Sequence, residues 1–221
     1  NCALISYTQP VTTTTTTTSN NNGGGNGSLL NDGFEAQSGS TPSGGWTSVT
    51  KDCSGTGKAS IDSSVAHSGG KSLRIDGGVG YCNHVFVQAP VTPQAGSDTY
   101  VRAYVRHTTA LPTSHVTFIA MNDANDNNGD LRIGGQNKAL QWNRQSDDAT
   151  LPAQSPNGVS LSQPLATGSW QCFEYKVGAD GTAKTWVNGQ EVVGLTVDGS
   201  PTQDVDQQWL AKTWRPKLTN I

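Results

Sequence analysis

From Leu29 almost to the C-terminus, apolar residues recur at every second position in short runs broken by Gly, Pro and Asn. That is the period of half-buried strands rather than of helices. Tyr100-Val-Arg-Ala-Tyr-Val-Arg106 sets Val101, Ala103 and Val105 on one face and Tyr100, Arg102, Tyr104 and Arg106 on the other. His115-Val-Thr-Phe-Ile-Ala-Met121 places Val116, Phe118 and Ala120 together, with His115, Thr117 and Ile119 opposite. Leu131-Arg-Ile133, His84-Val-Phe-Val87 and Trp170-Gln-Cys-Phe-Glu-Tyr-Lys-Val177 read as further strands. Ala183–Val187 followed by Asn188-Gly189 and Gln190–Val193 predicts a hairpin, because Asn-Gly supplies the two positive φ values of a type I′ turn. Short strands joined by such turns predict an all-β fold, a β-jelly-roll sandwich of two antiparallel sheets.

Composition narrows the function classes. Only 14% of the 221 residues are charged and the formal net charge is -3, so no basic run exists to displace counterions from nucleic acid. No apolar stretch approaches the roughly 20 residues of a membrane helix. Residues 12–28 are Thr, Ser, Asn and Gly and cannot form a core, so they read as a linker, of a kind often O-glycosylated in secreted proteins. Before it, residues 1–11 carry Cys2 and Tyr7-Thr8-Gln9, which faintly resemble the end of a small fungal cellulose-binding module. Residues 29–221 are the β domain, read as a monomer. The four cysteines, Cys2, Cys53, Cys82 and Cys172, have no Cys-x-x-Cys spacing, so disulfides in an oxidising, extracellular setting are expected.

Two groups of residues carry candidate chemistry. Asp32-Gly-Phe-Glu35 and Val65-Ala-His-Ser-Gly-Gly-Lys71 offer carboxylate and carbonyl oxygens suited to a structural calcium ion, or else an ordinary exposed carboxylate and an ordinary turn. The second group is His115, Asp130-Leu-Arg-Ile-Gly-Gly-Gln136 and Asn143-Arg-Gln-Ser-Asp-Asp148. On a regular strand Arg132, Gly134 and Gln136 share a face, giving a guanidinium and an amide with a glycine floor between them. Such a pair suits a carboxylate. If that carboxylate is C6 of a uronic acid, its neutralisation acidifies the C5 proton, which a neutral imidazole takes in a β-elimination. The bland alternatives are an Arg132 ion pair with Asp147 or Asp148, a hydrogen-bonding His115 and a solvated Gln136. Arg102, Tyr104, Arg106, His84 and Tyr175 extend the face or lie near it. No Gly-x-Ser-x-Gly is present, and with only Glu35, Glu174 and Glu191 as glutamates a facing glycosidase pair is hard to assemble.

Val65-Ala-His-Ser-Gly69, Gly80-Tyr-Cys-Asn-His84, Tyr100-Val-Arg-Ala103, His115-Val-Thr-Phe118, Leu131-Arg-Ile-Gly-Gly-Gln136, Ser146-Asp-Asp-Ala-Thr-Leu-Pro152, Ser155-Pro-Asn-Gly158 and Gln171-Cys-Phe-Glu-Tyr175 occur in that order. From about Asp32 to Asp198 this series resembles the cellulose-induced secreted proteins of filamentous fungi and their bacterial relatives. The resemblance implies a concanavalin-like β-jelly-roll related to glucuronan and alginate lyases, with a bound calcium. It maps cleft residues onto His115, Arg132, Gln136 and Asp148, and calcium ligands onto Glu35, Ser68 and Lys71, the last through its main-chain carbonyl alone. It also implies a Cys53–Cys82 disulfide.

Asp130 departs from the family's histidine at that place and is expected to pair with Arg132. Relatives continue beyond the position of Ile221, so the β domain is expected to lack its C-terminal strands, and Cys172 its partner. The expected function is a secreted polysaccharide lyase-like protein acting on a uronic-acid-containing polysaccharide. His115 would be the base, Arg132 and Gln136 the carboxylate clamp, and Tyr104 or Tyr175 the acid. Asp130, Trp142 and Arg144 would add substrate contacts. The alternative is a non-catalytic carbohydrate-binding protein, with Tyr100, Tyr104 and Trp142 stacking on sugar rings.

Overall fold

The computed structural model describes residues 30–50, 57–77, 85–92, 96–199, 204–211 and 213–221, and most regular structure in them is antiparallel strand. Residues 1–28, Cys53, Cys82 and His84 lie outside the described residues. The chain divides into two units between Val91 and Thr92.

In the first unit, β1 (Thr47–Thr50) pairs with β4 (Val85–Gln88), and β2 (Lys58–Asp62) pairs with β3 (Ser72–Asp76). The segment leading into β1 is tied by Trp46, whose Nε1 donates to Asp32 Oδ2 at 2.7 Å while its ring lies 5.3 Å from that of Phe34.

The second unit contains β5 (Thr99–Val105), β6 (Val116–Asp123), β7 (Gly129–Gln136), β8 (Ala139–Arg144), β9 (Ala149–Leu151), β10 (Gln171–Val177), β11 (Ala183–Val187), β12 (Gln190–Glu191) and β13 (Leu218–Asn220). They form a four-stranded sheet in the order β12-β11-β10-β5 and a five-stranded sheet in the order β13-β6-β7-β8-β9. Helix is confined to short turns such as α1 (Pro156–Ser160) and α2 (Gln207–Ala211). Asn188 and Gly189 both have positive φ, 53° and 79°, so the β11–β12 hairpin turns as its sequence predicts.

The two sheets close on one core. Phe173, Tyr175, Val177, Ala183 and Val187 of the four-stranded sheet meet Met121, Leu131, Ile133, Leu140, Trp142 and Leu151 of the other. Contacts between the layers are specific as well as apolar. The Trp142 indole donates to Thr185 Oγ1 at 2.9 Å and stands edge-on to Tyr175 at 5.1 Å, and the Tyr175 hydroxyl donates to Met121 Sδ at 3.2 Å. The fold is thus an all-β sandwich of antiparallel sheets.

One strand departs from strict alternation. The β6–β7 register shifts between Thr117 and Ile119, leaving Phe118 as the extra residue of a bulge. Ile119 then pairs with core-facing Ile133, Met121 is buried, and Ala120 is carried to the Arg132 row on the outer face. Phe118 still reaches the core, edge-on to Phe173 at 5.4 Å. The set Val116, Phe118, Ala120 expected from a regular strand is therefore split, and Val116 is exposed. The bulge also explains Gly134. The Val116 carbonyl and Thr117 Cα lie where its Cβ would stand, so this glycine admits the neighbouring backbone and does not leave a floor for a ligand.

Arg144 shares the core-facing parity of Leu140 and Trp142 and is 1% exposed. Its guanidinium pairs with Asp147 at 2.6 Å, donates to Gln208 O at 3.0 Å, and lies 5.2 Å and 5.6 Å from the rings of Trp209 and Trp214. Removing Asp147 leaves that buried charge without its counterion. Asp147→Ala should therefore lower stability by about 3 kcal/mol in urea unfolding, and adding Arg144→Met should recover part of the loss.

Candidate functional site

The outward side chains of the five-stranded sheet are set by the same registers that fill the core. Arg132 pairs with Asn143, Gly134 with Gln141 and Gln136 with Ala139, while Thr150 of β9 pairs with Asn143. Because Trp142 points inward, its neighbours Gln141 and Asn143 point outward. His115, just before β6, places Nε2 3.0 Å from Gln141 Oε1, and Asn143 Nδ2 donates to Asp148 Oδ1 at 2.8 Å. Asp148 has φ 55°, a left-handed turn residue that brings its carboxylate back over the sheet. His115, Arg132, Gln136, Asp130 and Asp148 are therefore residues of one face.

The His115 contact assigns the ring nitrogens. An amide oxygen only accepts, and Gln141 Nε2 donates to Pro152 O at 3.5 Å, so Gln141 presents Oε1 to the imidazole. In the neutral ring this contact puts the proton on Nε2 and leaves Nδ1 with the basic lone pair.

Arg132 is engaged as its neighbour predicts. Its Nη2 lies 3.2 Å and its Nε 3.4 Å from Asp130 Oδ2. Asp130 is itself fixed, accepting from Asn122 Nδ2 at 2.8 Å, while its backbone N–H donates to Gln145 Oε1 at 2.8 Å. Asn220 Nδ2 continues the chain to Asn122 Oδ1 at 2.9 Å. Gln136 Oε1 is buried without a hydrogen-bond partner. Along the strand Arg132 and Gln136 start about 13 Å apart, so they meet on one ligand only by leaning towards each other above the Val116 carbonyl, which fills the space over Gly134. Asn122, Gln141, Thr150 and Asn220 are not singled out from the sequence, and Asn143 enters only as the start of the Asn143–Asp148 segment. For Gln141 and Asn143 a signal was there, since they flank a tryptophan in alternation.

Other expected members are elsewhere. Tyr104, Arg102 and Arg106 are on or beside β5 of the opposite sheet, with Arg102 paired to Glu174 at 2.8 Å and Arg106 Nε donating to Gly168 O at 3.1 Å. Tyr100, on the same strand, shares the outward parity of Tyr104, so it too faces away from His115 and Arg132. Tyr175 is in the core, where burial pushes its phenol far above its ordinary pKa, so it is not an acid for this face. Trp142 is fully buried and stacks on no sugar, and Arg144 neutralises Asp147 within the core. Cys172, expected to lack a partner, is disulfide-bonded.

Residues 33–221 match the family model described as the Cip1-like core domain of polysaccharide lyase-like proteins. The solved structure titled "Cellulose induced protein, Cip1" is 43% identical, aligned over 86% of this chain and 85% of that one with a TM-score of 0.77. No curated protein matches the chain. The chain belongs to the Cip1-like family of polysaccharide lyase-like proteins.

The calcium implied by the resemblance can be tested against Glu35 and Lys71. Both carboxylate oxygens of Glu35 accept from Gly70 N–H, at 3.1 Å and 3.0 Å, and one also accepts from Lys71 N–H at 3.0 Å. These amides, Gly70 first, and the Lys71 charge hold the carboxyl below its ordinary pKa. Gly69, at φ 69°, sits so close to the carboxylate that a Cβ would not fit. The Lys71 ammonium donates to Glu35 O at 3.0 Å and also to Gln37 O. The Glu35 carboxylate is thus already taken by backbone amides, a cation of the chain sits on the carbonyls of Glu35 and Gln37, and no group of three His, Cys, Asp or Glu gathers among the described residues. A calcium ion seeks six to eight oxygens, and this set does not fit one. Accordingly, EDTA and calcium should leave the thermal unfolding midpoint unmoved, whereas Lys71→Ala should lower it by about 3 °C. The folded-state pKa of Glu35 is depressed, so its contribution holds above the ordinary carboxyl pKa and is lost as pH falls through the folded value.

Proposed function

Taking this family membership as given, we propose that the protein is a secreted, monomeric lyase that cleaves a uronic-acid-containing polysaccharide by β-elimination on the outer face of its five-stranded sheet. The observation that carries the reading is the gathering of His115, Arg132 and Gln136 on that one face, with Gln141 setting the imidazole tautomer. Nδ1 of His115 takes the C5 proton of the uronate. The electron pair forms the C4–C5 double bond, and the C4–O bond breaks. Arg132 and Gln136 hold the C6 group, on which negative charge grows in the transition state. The leaving oxygen takes its proton from water, since Tyr104 and Tyr175 face other surroundings.

A second reading, a non-catalytic carbohydrate-binding protein, is favoured by one observation, the ion pair that already occupies Arg132. The two are separated by incubating the full chain with glucuronan, alginate and pectic substrates and following the ultraviolet absorbance of the unsaturated uronate. Lyase activity should fall by about 10²-fold or more in His115→Ala, as for loss of a general base, while circular dichroism stays unchanged. Arg132→Ala should act mainly on kcat. No product on any uronate, together with retention on insoluble cellulose, would leave the binding reading.

A further inference from the structure

We propose that this face accepts its uronate units as neutral esters rather than free carboxylates, and that Asp130 sets the preference. The inference rests on the eliminating site described above and names its substrate class. Its first support is the charge of the face. Asp130, Asp148 and Asp206 are bonded into its network through Arg132, Asn143 and Thr150, and Arg132 is the guanidinium among them. With His115 neutral, as a base must be, the described groups sum to a negative surface. A free uronate brings one more negative charge to it.

The second support is how firmly Asp130 is held. Its side chain and backbone bond to Asn122, Arg132 and Gln145, and Asn122 is anchored in turn by Asn220. The carboxylate is thus built into the hydrogen-bond network of the sheet. Its Oδ2 takes the Nε/Nη2 edge of Arg132 and already counters that guanidinium's charge, leaving the Nη1 side for the ligand.

A methyl ester suits both. Its carbonyl accepts from Arg132 without adding charge, and its C5 proton is more acidic than that beside a carboxylate, so the ester does chemically what full neutralisation would do. The C5–H and C4–O bonds break, the C4–C5 double bond forms, the proton passes to His115, water protonates the leaving oxygen, and the ester stays intact.

The test compares fully methyl-esterified and fully de-esterified forms of the same polyuronate. The wild-type protein should turn over the ester about tenfold faster, the scale of one nearby charge in a partly exposed site. In Asp130→Asn that ratio should collapse towards unity, and calorimetry should show free uronate oligosaccharides binding about tenfold more tightly. Equal rates on the two forms, or an Asp130→Asn protein with unaltered affinity for the free oligosaccharide, would overturn the proposal. If neither form yields product while Asp130→Asn still tightens free-uronate binding, the elimination reading fails and the assignment of Asp130 stands.

Discussion

The arrangement hangs on the inward commitment of Trp142. Its indole is fully buried, worth about 2–3 kcal/mol in apolar area, and its one polar atom is satisfied across the sandwich by Thr185. Shifting β8 by one residue would put the indole outside, strand the Thr185 hydroxyl in the core and bury Gln141 and Asn143 without partners. The register is therefore heavily biased, and with it the outward direction of Gln141, Asn143, Arg132 and Gln136. Core packing and site geometry are two sides of one strand parity.

How much of this was legible in the sequence depends on how far each strand keeps a regular period. β5, β10 and the β11–β12 hairpin alternate cleanly or carry an Asn-Gly turn, and they appear within a residue or so of where the pattern puts them. β6 does not, because its bulge inserts a residue, and no local signal marks an insertion except the glycine opposite, which reads equally well as a ligand floor. β8 alternates over Leu140-Gln-Trp-Asn143, but it is buried along its whole length, so its polar members are not the solvent-facing ones that such an alternation leads one to expect.

The grouping of side chains was legible where its members lie on one strand, as for the Asp130–Arg132 ion pair. It was misread where it required knowing which sheet a strand joins. Tyr104 and Arg102 have the right chemistry and a suitable alternation, yet β5 pairs with β10 and so faces away from His115. Tyr175 and Trp142 were assigned to ligands because large amphipathic rings serve either role. A partner inside the protein, Met121 for one and Thr185 for the other, decides it. Arg144 shows the same ambiguity for a charge, being held by Asp147 and two indoles rather than by solvent.

Lys71 bears on where such a protein can work. Polyuronates and organic acids such as oxalate sequester free calcium, and a loop closed by a bound ion competes with its surroundings for that ion. A covalently attached ammonium cannot be withdrawn by a chelator or diluted away. Facing the carbonyls of Glu35 and Gln37, it holds this loop with a charge that belongs to the chain itself.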